Sequence, residues 1–355
     1  MDKNLEFLQK KQRDSSIELL RILMMFVVIA HHYVVNSGIY ECIVNTPPSS
    51  IQLNSLRVYF ALIFGWGGKT AINVFILITG FFMCKKEFNW KKVIFLCAEI
   101  VFYRWSIYII FLISGYEAFN LKEFVKTFFV LSYDFGKGFS SSFLGLYVLI
   151  PFINKLLKNL NKKEFEHLIL TLLILFTGLS SFLLNSAFEY IGWYVTVYLI
   201  GSYIQIYEIE WMKNKKITGI CSCICLLISW LSVVFIRFFA IKLNRTLPYF
   251  YFVNDSNKIF AILTSISLFL FFKNLKIGYC KIINTLAAST FGVLLIHASS
   301  DTMRKWLWQD ICQNVKAFNS DFFILHAFIC TFCVYFICVL IDLSRKKIIS
   351  LFIKK

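Results

Sequence analysis

The chain has 355 residues, 58% of them hydrophobic and 16% charged, with a mean hydropathy of +0.69. Ordinary soluble domains run at about 45–50% apolar and about 25% charged, so this composition excludes one and indicates a membrane protein; the 4 Pro and 15 Gly likewise exclude a Pro-rich or collagenous chain. A formal net charge of +17 would point to nucleic acid in a soluble protein, but in a polytopic one Lys and Arg are first assigned to cytoplasmic loops, and no nucleic-acid partner is inferred.

A membrane-crossing helix needs roughly 17–25 mostly apolar residues. On that ruler the chain offers about ten spans, near 18–37, 68–84, 93–114, 140–157, 165–184, 189–207, 217–236, 257–273, 282–300 and 321–342. The fold class expected is therefore all-α, a polytopic integral membrane bundle without a soluble second domain. The intervals that begin with the N-terminus and end with the tail after 342 hold 24 of the 37 Lys and Arg, and the opposite set holds 11. This asymmetry places both termini in the cytoplasm.

The first apolar run is not read as a cleavable signal, because it is of span length and carries His31 and His32 where small residues would mark a cleavage site. At its start, Ser15 and Glu18 stand at capping-box spacing. Arg21 and His32 lie eleven residues apart, three helical turns, so they share a face with roughly 16 Å between them along the axis. His31 points about 100° away. Ionisable groups inside a bilayer mark a pathway or a site by default. An imidazole takes and returns a proton near neutral pH, and the guanidinium fork suits phosphate, so one helix presents a phosphate anchor near the cytoplasm and a general base deeper in the bundle.

Further along, segment 116–135 has helical apolar spacing interrupted by Lys122, Glu123 and Lys126, and is read as an amphipathic helix on the outer surface. The outer loops 38–57 and 237–256 are long enough to form a cap. Glu99 and Arg104, five residues apart, are expected to find partners on other helices. Most of the 11 cysteines sit in or beside spans; in Cys221-x-Cys223-x-Cys225 the middle thiol faces nearly opposite the outer two, which argues against a metal site. Cys42 and Cys312 both fall in outer loops and are a candidate pair.

These residues resemble the signature of the membrane acyltransferase-3 family, an Arg, ten residues and a His on the first helix. Gly67-Gly68-Lys69 followed by Asn73-Val-Phe75 and Thr79-Gly80-Phe81-Phe82 resembles its second-helix motif; Phe143 to Tyr147 and Pro151-Phe152-Ile153-Asn154 resembles its fourth; Trp193, Tyr198, Gly201 and Tyr203 resemble its sixth. Ser289-Thr290-Phe291-Gly292 to His297, with Arg304 and Leu307-Trp308 beyond, is similar to the late-helix motif of the polysaccharide-modifying subgroup. The likeness runs from about 15 to 345 in consistent order, so that 1–355 reads as one acyltransferase-3-like membrane domain, with 1–17 a cytoplasmic segment and 343–355 a basic cytoplasmic tail. Departures stand at Ser142, Val293 and Ala298, where a Trp, a Tyr and an acidic residue are usual.

The resemblance implies a multi-pass enzyme of the bacterial cytoplasmic membrane that transfers an acyl group, usually acetyl, from acetyl-CoA to a hydroxyl of a surface glycan or its lipid-linked precursor. On this reading His32 is the general base, Arg21 positions the donor, and no metal takes part. Glu18, Lys69, Tyr147, His297 and Arg304 are candidates for donor or acceptor binding. Lys69 has two readings, an oxyanion or phosphate contact and a snorkelling lysine. Trp306 and Trp308 beside Arg304 are read first as an interfacial aromatic belt. A transporter of lipid-linked glycans is the alternative; the sequence lacks the paired broken helices in two related halves that would favour it.

Overall fold

The computed structural model describes residues 14–50, 55–129, 138–182 and 190–353, and every regular element among them is helical. We label the main helices α1 (Ser15–Val35), α2 (Ile39–Asn45), α3 (Leu56–Gly65), α4 (Gly68–Met83), α5 (Trp90–Ile113), α6 (Leu121–Phe128), α7 (Phe139–Asn159), α8 (Lys162–Phe182), α9 (Tyr190–Tyr207), α10 (Lys215–Leu243), α11 (Ile259–Lys273), α12 (Lys281–His297), α13 (Asp301–Ile311) and α14 (Phe323–Ile353). Helix α8 contains a π-helical turn at Ile174–Gly178, and α12 is interrupted between Ala287 and Thr290.

Seven stretches are long and apolar enough to cross a membrane, α3 and α4 together forming one of them, and an eighth is the pair α12 and α13, bent by 96° at its break. The expected spans at 189–207 and 257–273 are helices as well, α9 and α11, but they fall outside that set: α11 has 15 residues, and α9 carries five tyrosines and Gln205. Their position explains the difference. From Trp193 to Ile204 almost every residue of α9 is buried, and so are Ala261, Ile262, Thr264, Ser265 and Ser267 through Leu270 along most of α11. Helices shielded from lipid do not need a lipid-like surface. The apolar windows of α5, α7, α8 and α10 are 22, 28, 22 and 17% buried, against 61% for α1 and 72% for α3–α4, so α1, α3–α4, α9 and α11 form an inner layer wrapped by the others.

Other expectations shift. Helix α1 is capped by Asp14, whose carboxylate accepts from the Ser16 amide at 2.9 Å, and no capping box forms at Ser15 and Glu18. Ser15 and Ser16 instead hold the 275–284 segment: Ser15 Oγ accepts from the Cys280 amide at 2.9 Å, and Ser16 Oγ from the Ile277 amide at 3.2 Å. The last span does not stop at 342 but continues as helix to Ile353. Among the described residues of the expected amphipathic segment 116–135, α6 is the helical part, with Leu121, Val125 and Phe128 exposed; its residues 130–135 lie outside the described residues. The expected cap takes shape where Ser49 donates to Asn244 at 2.7 Å, Thr246 to the Val44 carbonyl at 3.1 Å and the fully buried Arg237 to the Pro48 carbonyl at 3.1 Å. Cys42 and Cys312 are both free thiols.

Candidate functional site

Helix α1 carries the residues of interest through the inner layer, packed against α3, α4, α12 and α14. Its fit is set by glycines at the α3–α4 junction. A Cβ at Gly67 would stand 2.5 Å from Val27 Cγ1, and one at Gly68 2.4 Å from His31 Cγ. The Gly67-Gly68 pair is thus required by the approach of α1, with the His31 ring lying where a side chain would otherwise be.

Three histidines gather here. The His32 and His297 ring centroids are 5.3 Å apart and those of His31 and His32 5.8 Å. Two of the three have a fixed tautomer, because a carbonyl only accepts: His31 Nδ1–H donates to the Gly65 carbonyl at 2.6 Å, and His297 Nδ1–H to the Val293 carbonyl at 2.6 Å. His297 is fully buried, and its Nε2 has no hydrogen-bond partner among the described residues. His32 is half-buried and meets the Asn36 side-chain amide, Nδ2 to Nδ1, at 2.5 Å. With Nδ2 toward the ring, as placed, His32 Nδ1 accepts and Nε2 carries the proton; an amide flip exchanges donor and acceptor, and with Oδ1 toward the ring Nδ1 carries the proton and Nε2 presents its lone pair. Asn36 is a site residue that the sequence reading missed. Its signal was the i, i+4 spacing from His32.

The charged groups fall at two depths. Lys69 donates to the Tyr190 hydroxyl at 2.6 Å, and it follows Gly68, which abuts the His31 ring; Arg304 pairs with Asp301 at 2.6 Å, seven residues after His297. Glu18 and Arg21 face each other at 3.9 Å at the opposite end of α1, with Arg21 about a third exposed. Met25 and Val28, between Arg21 and His32 on the shared face, are buried. Tyr147 is not brought to the histidines; it packs with Phe88 and Phe143, ring centroids 5.7 and 6.1 Å away.

Trp308 is not a belt residue. It is fully buried, its ring 6.4 Å from His297 and 6.1 Å from Tyr33, and its indole N–H has no partner among the described residues. The 96° break turns α13 across the bundle end instead of continuing the span. Ser300 marks the break, capping α13 by accepting from the Met303 amide at 3.1 Å; Ser-Ser-Asp at 299–301 was the legible sign of a helix start.

The remaining motif residues hold helices together. Helices α4 and α9 approach so closely that a Cβ at Gly80 would sit 2.3 Å from the Tyr198 carbonyl oxygen, and one at Gly201 2.4 Å from that of Leu77. Asn73 accepts from the Trp193 indole at 2.9 Å and donates to the Ser256 carbonyl at 2.7 Å. Asn154 accepts from the Tyr198 hydroxyl at 2.7 Å and donates to the Met83 carbonyl at 3.0 Å. At the other edge Glu99 meets Arg345 at 2.6 Å, as a partner on another helix, within a network that includes Tyr103, the fully buried Asp342 and Lys346. Arg104 lines a cavity beyond α6.

The acyltransferase-domain profile of the acyltransferase-3 family matches residues 14–343. No curated protein and no solved structure matches the chain significantly.

Proposed function

The chain belongs to the acyltransferase-3 family and is a multi-pass membrane acyltransferase; from that premise we propose that it moves an acetyl group from acetyl-CoA to a hydroxyl of a surface glycan or its lipid-linked precursor. The setting proposed is the bacterial cytoplasmic membrane, with both termini inside. The observation that carries the reading is the approach of His32 on α1 to His297 on α12, ring centroids 5.3 Å apart, with Arg21 near the other end of α1.

In this mechanism neutral His32 takes the proton from the acceptor hydroxyl as that oxygen bonds to the thioester carbonyl carbon. The carbon–sulfur bond breaks, and the proton passes from His32 to the departing thiolate. No acyl-enzyme forms. The Lys69 ammonium stabilises charge on the carbonyl oxygen, while Arg21 holds donor phosphate at the cytoplasmic mouth.

The α12–α13 break also has the form of an interrupted transporter helix, which supports the alternative of a glycan-lipid transporter. Transporters pair such breaks across related halves, and one broken pair is found among the described residues, so acyl transfer is preferred. The test is proton NMR of O-acetyl esters in surface glycan from cells lacking the gene and complemented at matched membrane levels. Wild type should restore the esters, and His32→Ala should lower the transfer rate by about 10²–10⁴-fold, with His31→Ala as the packing control. Equal ester signal from wild type and His32→Ala overturns His32 as the base; esters independent of the gene overturn the acetylation of that glycan.

A further inference from the structure

Next to His32, Tyr33 ties three elements together. Its hydroxyl lies 2.8 Å from His326 Nδ1 on α14, its carbonyl accepts from the buried Asn314 side chain at 3.0 Å, and its ring stands 6.1 Å from that of Trp308 on α13. Each of the first two anchors has a cysteine beside it. Cys312 lies two residues before Asn314 and ends α13, its amide donating to the Leu307 carbonyl at 2.9 Å. Cys330 follows His326 by four residues, one helical turn further into α14. The two thiols, eighteen residues apart in the chain, meet in a side-chain hydrogen bond between these elements.

Their surroundings differ as an attacking and a resolving thiol require. Cys312 is half-buried and Cys330 is 8% exposed, so a disulfide donor reaches Cys312 first. With the Cys330 thiol donating, the hydrogen bond favours the thiolate, which is the nucleophile, on Cys312. In the proposed orientation both lie toward the outer side, Cys330 about 10 Å along α14 from Phe323, and a compartment beyond the cytoplasm is where disulfides persist. Cys42 is the competing partner, since it lines one groove with Gln309, Asp310 and Gln313.

We propose that Cys312 and Cys330 are a dithiol site that closes to a disulfide and so fastens the end of α13 to α14. The Cys312 thiolate attacks a sulfur of a small-molecule or protein disulfide, giving a mixed disulfide and releasing one thiolate. Cys330 then loses its proton, and its sulfur displaces the second thiolate from Cys312. Two thiols of the chain are oxidised to one disulfide, the donor is reduced to two thiols, and the two protons end on the donor sulfurs. The bond involves none of the histidines, and it fixes the segment whose Trp308 ring stands 6.4 Å from His297. The site does not depend on acyl transfer.

The test uses the full chain in lipid nanodiscs, first reduced, then exposed to oxidised glutathione, quenched with N-ethylmaleimide, digested without reductant and mapped by mass spectrometry. The peptides holding Cys312 and Cys330 should be linked, two hydrogens lighter than their sum, with Cys42 alkylated. Oxidation should raise the thermal midpoint by about 4 °C, the effect of closing a loop of this length in a chain of this size. Amide exchange over Trp306–Cys312 should slow by about tenfold, and dithiothreitol should reverse both changes. Cys330→Ala should stop at a glutathione adduct on Cys312 and show neither change; the wild type with and without dithiothreitol decides the matter even where that variant does not fold. A Cys42–Cys312 link, a wild-type adduct on Cys312 that never resolves, or alkylation of both thiols overturns the site. A Cys312–Cys330 link that leaves exchange over Trp306–Cys312 unchanged overturns the fastening of α13.

Discussion

Replacing Gly80 by Ala tests whether the glycine-bearing motifs serve the α4–α9 contact. The new Cβ would stand 2.3 Å from the Tyr198 carbonyl oxygen and 3.0 Å from its Cα, and the obstacle is backbone, so no side-chain rotation relieves it. Helices α4 and α9 must part by about 1 Å, a gap that forfeits a quarter to a half of each dispersion contact across the seam. Overpacking of this kind costs about 1–3 kcal/mol. The same displacement stretches the Trp193–Asn73 bond of 2.9 Å and the Ser202–Gly80 bond of 3.3 Å, adding about 1 kcal/mol for a weakened buried hydrogen bond. Gly80→Ala is therefore expected to destabilise by about 2–4 kcal/mol, read as a drop in thermal midpoint in detergent by thiol-reactive dye fluorescence. Gly278→Ala is the control, since its Cβ meets nothing within 4 Å. A Gly80→Ala protein as stable as the wild type, or a Gly278→Ala protein equally weakened, would refute the reasoning.

Three further outcomes are expected. Asn36→Leu removes the group that orients His32 at 2.5 Å; steady-state transfer assays should show kcat falling about tenfold, the equivalent of about 1.4 kcal/mol, with the acceptor KM unchanged. Asp342→Ala withdraws the buried carboxylate that meets Tyr103 at 2.7 Å, Arg345 at 2.8 Å and Lys346 at 2.6 Å, and should destabilise by about 3–5 kcal/mol, whereas Lys346→Met, at a more exposed position, should cost less in the same unfolding assay. For topology, Ser49→Cys should react with a membrane-impermeant maleimide in intact cells and Lys347→Cys only after lysis; the reverse pattern refutes the orientation taken from the Lys and Arg distribution.

What the sequence made legible follows from which forces are local. Span positions follow from composition along a single helix, and the Arg21–His32 register from the 3.6-residue period, so both could be read without neighbours. Residues whose roles depend on a second helix could not. Gly67-Gly68-Lys69 read as the opening of the second-helix motif, yet the two glycines answer to Val27 and His31 on α1. Trp308 read as a belt residue because a straight helix would carry it to the interface; the break after His297 buries it instead. The cap of α1 was misplaced by one residue, because Asp14 and Ser15 have the same capping chemistry and burial of Ser15 and Ser16 against 275–284 decides between them.

The motif residues divide according to whether the fold consumes their polar atoms. Asn73 and Asn154 each use both ends of the amide within the protein, Tyr198 spends its hydroxyl on Asn154, and Ser202 donates to the Gly80 and Tyr198 carbonyls. Each is complete without a ligand, as buried polar groups ordinarily are. At the α1–α12–α13 junction the His297 Nε2, the Trp308 indole N–H and the Arg304 Nε are buried without hydrogen-bond partners among the described residues. Leaving such groups open costs about 1–3 kcal/mol each, a cost that has no structural return there, because none of these atoms ties one helix to another. On the acyl-transfer reading we propose, a substrate hydroxyl in the α1–α12–α13 junction would offset it only while bound, which assigns the family-like residues on α1 and α12, with Lys69 at the start of α4, to the chemistry and Asn73, Asn154, Tyr198 and Ser202 to the scaffold that holds it.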